Sequence, residues 1–208
     1  MNITQQTIDE FMDDLSSKAA TPGGGSVAAI MGGMAAALIS MVANLTIGKK
    51  NYVYVETQMQ DLLNQSEGLK IQLLDMIRAD INAFDLVMTA YKLPKTTDDD
   101  TSTRNQAIQT ALKTATDVPL QCAVACRSVI QLCEIAAQIG NKNVVTDAGV
   151  AVLAAQAALR SAALNVYINI GNIEDQAFTK SREEKLNFLL EGVDKQTEEI
   201  YQLVKSKL

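Results

Sequence analysis

Val-Ala-Ala-Ile-Met-Gly-Gly-Met-Ala-Ala-Ala-Leu-Ile-Ser-Met-Val-Ala-Asn-Leu-Thr-Ile, residues 27–47, holds no charged side chain. Such a run is long enough to cross a bilayer, and it is equally what a helix buried at the centre of a bundle looks like. Ser40, Asn44, Thr46, the Gly32-Gly33 pair and the many alanines favour the bundle over a membrane span, because small residues let neighbouring helices approach closely. Residues 148–170 repeat the pattern, with Arg160 as the one charge. Two helices this apolar exceed what a small monomeric bundle hides. The pattern therefore predicts an all-α bundle of long helices around two buried, small-residue-rich central helices, assembled as an oligomer.

Working outward, residues 4–18 read as a short amphipathic helix with Ile8, Phe11, Met12 and Leu15 on one face and Thr4 as its cap. Residues 52–93 form one long helical pattern that ends at Leu93-Pro94-Lys95. Residues 96–103 read as a polar loop, with Asp98, Asp99 and Asp100 solvating it and the start of the next helix rather than binding a metal. Residues 103–139 are helical again, and Pro119 should kink or split them. Residues 140–143 stop that helix, and residues 175–208 read as one charged amphipathic helix. The whole chain, 1–208, is expected to be a single domain.

Composition narrows the chemistry. The net charge of −6 argues against a nucleic-acid partner, which needs a basic face. There is no histidine, so acid–base work falls to carboxylates, lysines or tyrosines. Cys122, Cys126 and Cys133 share roughly one helix face and read as reduced core thiols, not as a metal site. The first residues lack a basic segment followed by an apolar run, so a cytoplasmic location is expected.

Several residues could carry chemistry. Gly23, Gly24, Gly25 and Ser26 enter a helix, where free backbone N–H groups and the helix dipole attract anions; a plain interhelical turn explains them equally well. Lys49 and Lys50 follow the same helix and either complement its dipole or meet a ligand's carboxylates. Asp80 borders an apolar helix face shared with Ile77, Ile81 and Phe84, where desolvation would suit it to acid–base work; otherwise it is a paired rim carboxylate. Asp147 opens a helix, which capping alone would explain. Asn44, Asn165 and Asn169 need partners on apolar helices, whether a neighbouring helix or a polar ring such as a pterin.

The string Pro22-Gly-Gly-Gly-Ser-Val-Ala-Ala, followed by Ser40-Met-Val-Ala-Asn-Leu-Thr-Ile-Gly-Lys-Lys50, resembles the opening of the cyclodeaminase/cyclohydrolase family. The likeness continues through Asp80-Ile-Asn-Ala-Phe84, Leu93-Pro94-Lys95, Val118-Pro119-Leu120, Asp147-Ala-Gly-Val-Ala151 and Ala163-Leu-Asn-Val-Tyr-Ile-Asn169. It implies an all-helical fold that forms a homodimer, with a tetrahydrofolate derivative bound in a cleft near the subunit interface, with or without a polyglutamate tail. It implies that Asp80 is the catalytic carboxylate, and that the glycine turn, Lys49 and Lys50 belong to the folate pocket. No metal and no cofactor beyond the folate is expected. The expected reaction is cyclisation of 5-formimidoyltetrahydrofolate to the 5,10-methenyl compound with loss of ammonia. Hydrolysis of 5,10-methenyltetrahydrofolate to 10-formyltetrahydrofolate is the alternative from the same pocket, and a non-catalytic helical oligomer is the alternative from another class.

Overall fold

The computed structural model describes residues 3–208. Seven α-helices follow in order: α1 (Ile8–Ser16), α2 (Gly24–Asn44), α3 (Glu56–Tyr91), α4 (Asp98–Ile139), α5 (Val145–Ile170), α6 (Gln176–Leu190) and α7 (Val193–Lys205). Short 3-10 turns precede α1, α3 and α5, and no strand occurs among the described residues. Helices α2 to α5 form a four-membered bundle in which each packs on the next and α5 closes back on α2; α6 and α7 cover α4 and α5.

The alanine-rich helices pack as their composition predicts. Ala35, Ala36, Ile39 and Ala43 of α2, and Ala151, Ala155, Ala158 and Ala162 of α5, are fully buried. At Gly32 an added Cβ would stand 2.8 Å from the Cys126 sulfur and 3.1 Å from Leu73, so α2 meets α3 and α4 more closely than alanine permits. Cys122, Cys126 and Cys133 are free and buried, and burial pushes the Cys133 thiol well above its ordinary value. By length and composition α2 could cross a bilayer, but 61% of its most apolar stretch is buried inside the bundle. What remains bare is one stripe on each central helix, including Met34 on α2 and Leu164 and Ile168 on α5.

Four boundaries differ from the sequence reading. The cap of α1 is Thr7, in a reciprocal capping box with Glu10, rather than Thr4. Asp98, Asp99 and Asp100 lie in the first turn of α4, capped by Thr97, because acids are favoured at the positive end of a helix. Pro119 lies inside α4 without splitting it, for a reason that lies on α5. The C-terminal segment is two helices, not one, because Gly192 adopts a left-handed φ of 69° between α6 and α7.

Candidate functional site

Unequal helix lengths create the cavity. The α3 and α4 helices have 36 and 42 residues, whereas α2 and α5 have 21 and 26. At about 1.5 Å per residue, α4 is roughly 60 Å long and α2 roughly 30 Å. The α3–α4 hairpin therefore overhangs the start of α2 and the end of α5, and the corner holds a cavity of about 380 Å³. A small second core of Ala90, Ile108, Ala111, Leu112 and Ile173 steadies the overhang. Gly23, Gly24 and Gly25 form one wall, Asp80 and Phe84 a second, and Asn165 and Asn169 a third.

Asp80 is the one ionisable carboxylate among the cavity's lining residues. The cap of α2 is Gly23, which has no side chain to satisfy the first N–H groups of the helix. Asp80 does this from α3 instead: its carboxylate accepts the Ser26 hydroxyl at 3.1 Å and the Ser26 backbone N–H. Ser26 itself is fully buried. Burial pushes the Asp80 carboxyl above its ordinary value, and the two Ser26 donors pull it part of the way back. Gly25 makes the approach possible, since a Cβ there would lie 2.1 Å from the Asp80 Oδ1. The glycine run is thus the first turn of α2 with a carboxylate resting on it.

Asn169 explains the unbroken α4. Pro119 has no N–H to give the Ala115 carbonyl, four residues earlier. The Asn169 Nδ2 donates to that carbonyl at 2.7 Å from the neighbouring helix. Asn165 spends one N–H on the Ser161 carbonyl of its own helix, at 2.9 Å. Each amide can make further bonds, and both line the cavity.

A family model described as formiminotransferase-cyclodeaminase matches residues 7–188. The chain belongs to that family. It is 56% identical over 203 residues to methenyltetrahydrofolate cyclohydrolase of Methylorubrum extorquens, covering 98% of each protein. It is 30% identical over 190 residues to formimidoyltransferase-cyclodeaminase of Rattus norvegicus, covering 91% of this chain but 35% of that longer protein. The crystal structure of formiminotetrahydrofolate cyclodeaminase from Thermotoga maritima superposes with a TM-score of 0.83 at 34% identity, covering 99% of this chain and 97% of that one. This is a family of folate one-carbon enzymes, and the all-α bundle is its fold.

The candidate residues divide between the two ends of the bundle. Gly23, Gly24, Gly25, Asp80, Asn165 and Asn169 meet at the cavity, with Ser26 directly behind Asp80. Asn44, Lys49 and Lys50 lie at or beyond the other end of α2, all exposed. Asp147 is in the first turn of α5, two residues inside the helix start rather than at its cap. The α2 and α5 helices run antiparallel, as contacts at both ends show: Asn141, just before α5, bonds the Leu45 carbonyl, while Asn165 lies beside Gly24. This second group is therefore about a helix length from Asp80.

Val87, Tyr91 and Asn172 also line the cavity and were not singled out from sequence. Their signal was spacing: Phe84, Val87 and Tyr91 continue from Asp80 on one face of α3, and Asn172 continues from Asn165 and Asn169. A more open groove of about 480 Å³ lies between Leu86 and Thr103 on the α3–α4 hairpin, but no ionisable side chain lines it. Nor does a lysine or arginine line the Asp80 cavity.

Proposed function

We propose that this chain hydrolyses 5,10-methenyltetrahydrofolate to 10-formyltetrahydrofolate. What carries the choice of reaction is likeness at more than half identity, end to end, to a cyclohydrolase. The half-buried Asp80 facing a cavity gives that choice a chemical basis. In this reading water adds to the cationic bridge carbon while the Asp80 carboxylate takes one of its protons. The resulting tetrahedral carbon opens by breaking its bond to N5; Asp80 returns the proton to N5, and the former water hydroxyl loses its proton as the formyl carbonyl forms. One proton is released overall. A carboxylate raised by burial is suited to both directions of transfer. The Asn165 and Asn169 amides offer polar partners to a pterin ring.

Deamination of 5-formimidoyltetrahydrofolate is the second reading, favoured by the structural likeness to a cyclodeaminase along the whole chain. It uses the same carboxylate, with ammonia instead of N5 as the leaving group. Both readings make the chain a single-domain cytoplasmic enzyme with no cofactor beyond its folate substrate. The test is methenyltetrahydrofolate absorbance with wild type beside Asp80→Asn. Enzyme-dependent decay of the methenyl compound, lost in the variant, is the expected result. Enzyme-dependent gain from the formimidoyl compound alone would instead make the chain a cyclodeaminase. No change in either would return it to a non-catalytic helical oligomer.

A further inference from the structure

Where α6 packs on α4, the chain shows how it holds a planar N–C–N cation. The Arg182 guanidinium donates from Nε to the Asp117 Oδ1 at 2.9 Å and from Nη2 to the Oδ2 at 3.3 Å. Its central carbon stands 4.1 Å from the centre of the Phe178 ring. The fork of N–H groups matches the two carboxylate oxygens, and the ring face attracts the delocalised charge.

The Asp80 corner repeats two of these three parts and lacks the third. Asp80 and Phe84 are four residues apart on α3, hence on one face, and both line the cavity. No lysine or arginine lines it. Tyr91, the other aromatic ring of the lining, already has the Arg104 guanidinium 5.6 Å from its centre. Among the described residues no cation stands over Phe84.

The amides of the lining complement such a cation. Asn165, Asn169 and Asn172 each donate from Nδ2 to a main-chain carbonyl, those of Ser161, Ala115 and Ile168. Only the amide nitrogen can donate, so each bond fixes the sense of its amide. No donor among the described residues reaches any of the three Oδ1 atoms. The corner thus offers a carboxylate and three unmatched amide oxygens, an acceptor-rich lining that suits a ligand rich in N–H. The positive end of α2 lies at the same corner. It amounts to about half a charge, against the full charge of an ionised Asp80, so the balance stays negative. Burial works against that ionised carboxylate, and a paired cation would remove the penalty.

We propose that Asp80 and Phe84 form a receptor for planar, delocalised N–C–N cations of the amidinium or guanidinium type, with the amide oxygens taking the remaining N–H groups. Recognition of this kind needs neither a pterin nor a glutamate tail, so a simple aryl amidine should enter the cavity. The link to turnover rests on the folate reading. The methenyl bridge and a protonated formimidoyl group are both N–C–N cations, whereas the formyl group made by hydrolysis is neutral. The corner would therefore hold the substrate of hydrolysis more tightly than its product.

The probe is benzamidinium, titrated calorimetrically into the whole chain beside benzamide, its neutral counterpart of the same shape. Benzamide should bind at least about 10-fold more weakly. Asp80→Asn should weaken benzamidinium by about 10- to 100-fold, the strength of a hydrogen bond to a charged group. Phe84→Leu should weaken it by about 2- to 10-fold, the strength of the ring contact. This second variant keeps the carboxylate and its Ser26 contact, so it tests the site even where Asp80→Asn fails to fold. Asp75→Asn, which removes an exposed carboxylate from the same helix, should change nothing. In an enzyme active on folates, benzamidinium should compete with methenyltetrahydrofolate. Equal binding of benzamide, full affinity in either folded cavity variant, or inhibition that is not competitive would overturn the proposal. Folate turnover without benzamidinium affinity would overturn it too, and would leave the functional reading standing. Asp80-dependent benzamidinium affinity in a protein inactive on every folate would uphold the receptor and sink that reading.

Discussion

The two ends of the bundle use polar groups in opposite ways. At the far end they are consumed in joining segments: Thr46 donates its hydroxyl to the Val42 carbonyl at 2.6 Å and accepts the Asn141 N–H at 2.9 Å. Asn141 Nδ2 bonds the Leu45 carbonyl at 2.7 Å, and the Tyr52 hydroxyl accepts the Lys142 N–H at 3.0 Å. The helices are laced together there. At the cavity end the overhang of α3 and α4 holds them apart, and Asp80, Asn165 and Asn169 keep bonding capacity to spare. A bundle of four equal helices would have closed at both ends. Length mismatch, rather than any special loop, makes one end a latch and the other a site.

The largest effect tests whether the open end is chemical. Asp80→Asn should lower kcat by about 10²- to 10⁴-fold, the range for a lost general acid–base group. Its stability should move the other way. A carboxyl raised by burial is most favourable when protonated, so its contribution is complete below the ordinary carboxylate range and is lost as the pH rises through the raised value. Asp80→Asn should therefore melt higher than wild type at neutral pH, with the gap closing as the pH falls. Gly25→Ala probes the same contact without removing the carboxylate. Because the atom that must move is the end of a side chain, the fold should persist while activity falls towards that of Asp80→Asn.

Asn141→Ala should do the reverse at the latch. It strips the Leu45 carbonyl and the Asn143 N–H of partners, a loss of about 1–3 kcal/mol in a denaturant titration, with kcat preserved. If it lowered kcat as steeply as Asp80→Asn, the division between the ends would be wrong. Ser26→Ala is milder. Without the hydroxyl that pulls the Asp80 carboxyl down, the acid limb of the pH–rate profile should move to higher pH while the plateau stays near wild type.

Much of this was legible in the chain. The uncharged runs gave α2 and the core of α5, and i, i+4 spacing put Asn165 and Asn169 on one face. The separation of Lys49 from Gly25 was legible too: 24 residues, most of them helical, cannot bring both to one pocket of one chain. The cavity itself was not, since it depends on where four helices end relative to one another. Nor was the left-handed Gly192, which sits in an otherwise regular amphipathic pattern. Pro119 is the clearest case, because local rules end a helix there and the remedy comes from a residue 50 positions away.

That remedy yields the smallest and sharpest test. If Asn169 serves the carbonyl that Pro119 cannot reach, the two positions are energetically coupled. Asn169→Ala alone should cost about 1–2 kcal/mol by leaving the Ala115 carbonyl without a partner. Pro119→Ala restores a backbone N–H at that position, and the helix can then satisfy its own carbonyl. In that background Asn169→Ala should cost close to nothing, a coupling of about 1 kcal/mol across the four proteins in urea. The Pro119→Ala protein would also release the Asn169 amide to the cavity, so its KM should shift while its kcat holds. Equal costs in both backgrounds would mean that Asn169 is not mending the helix.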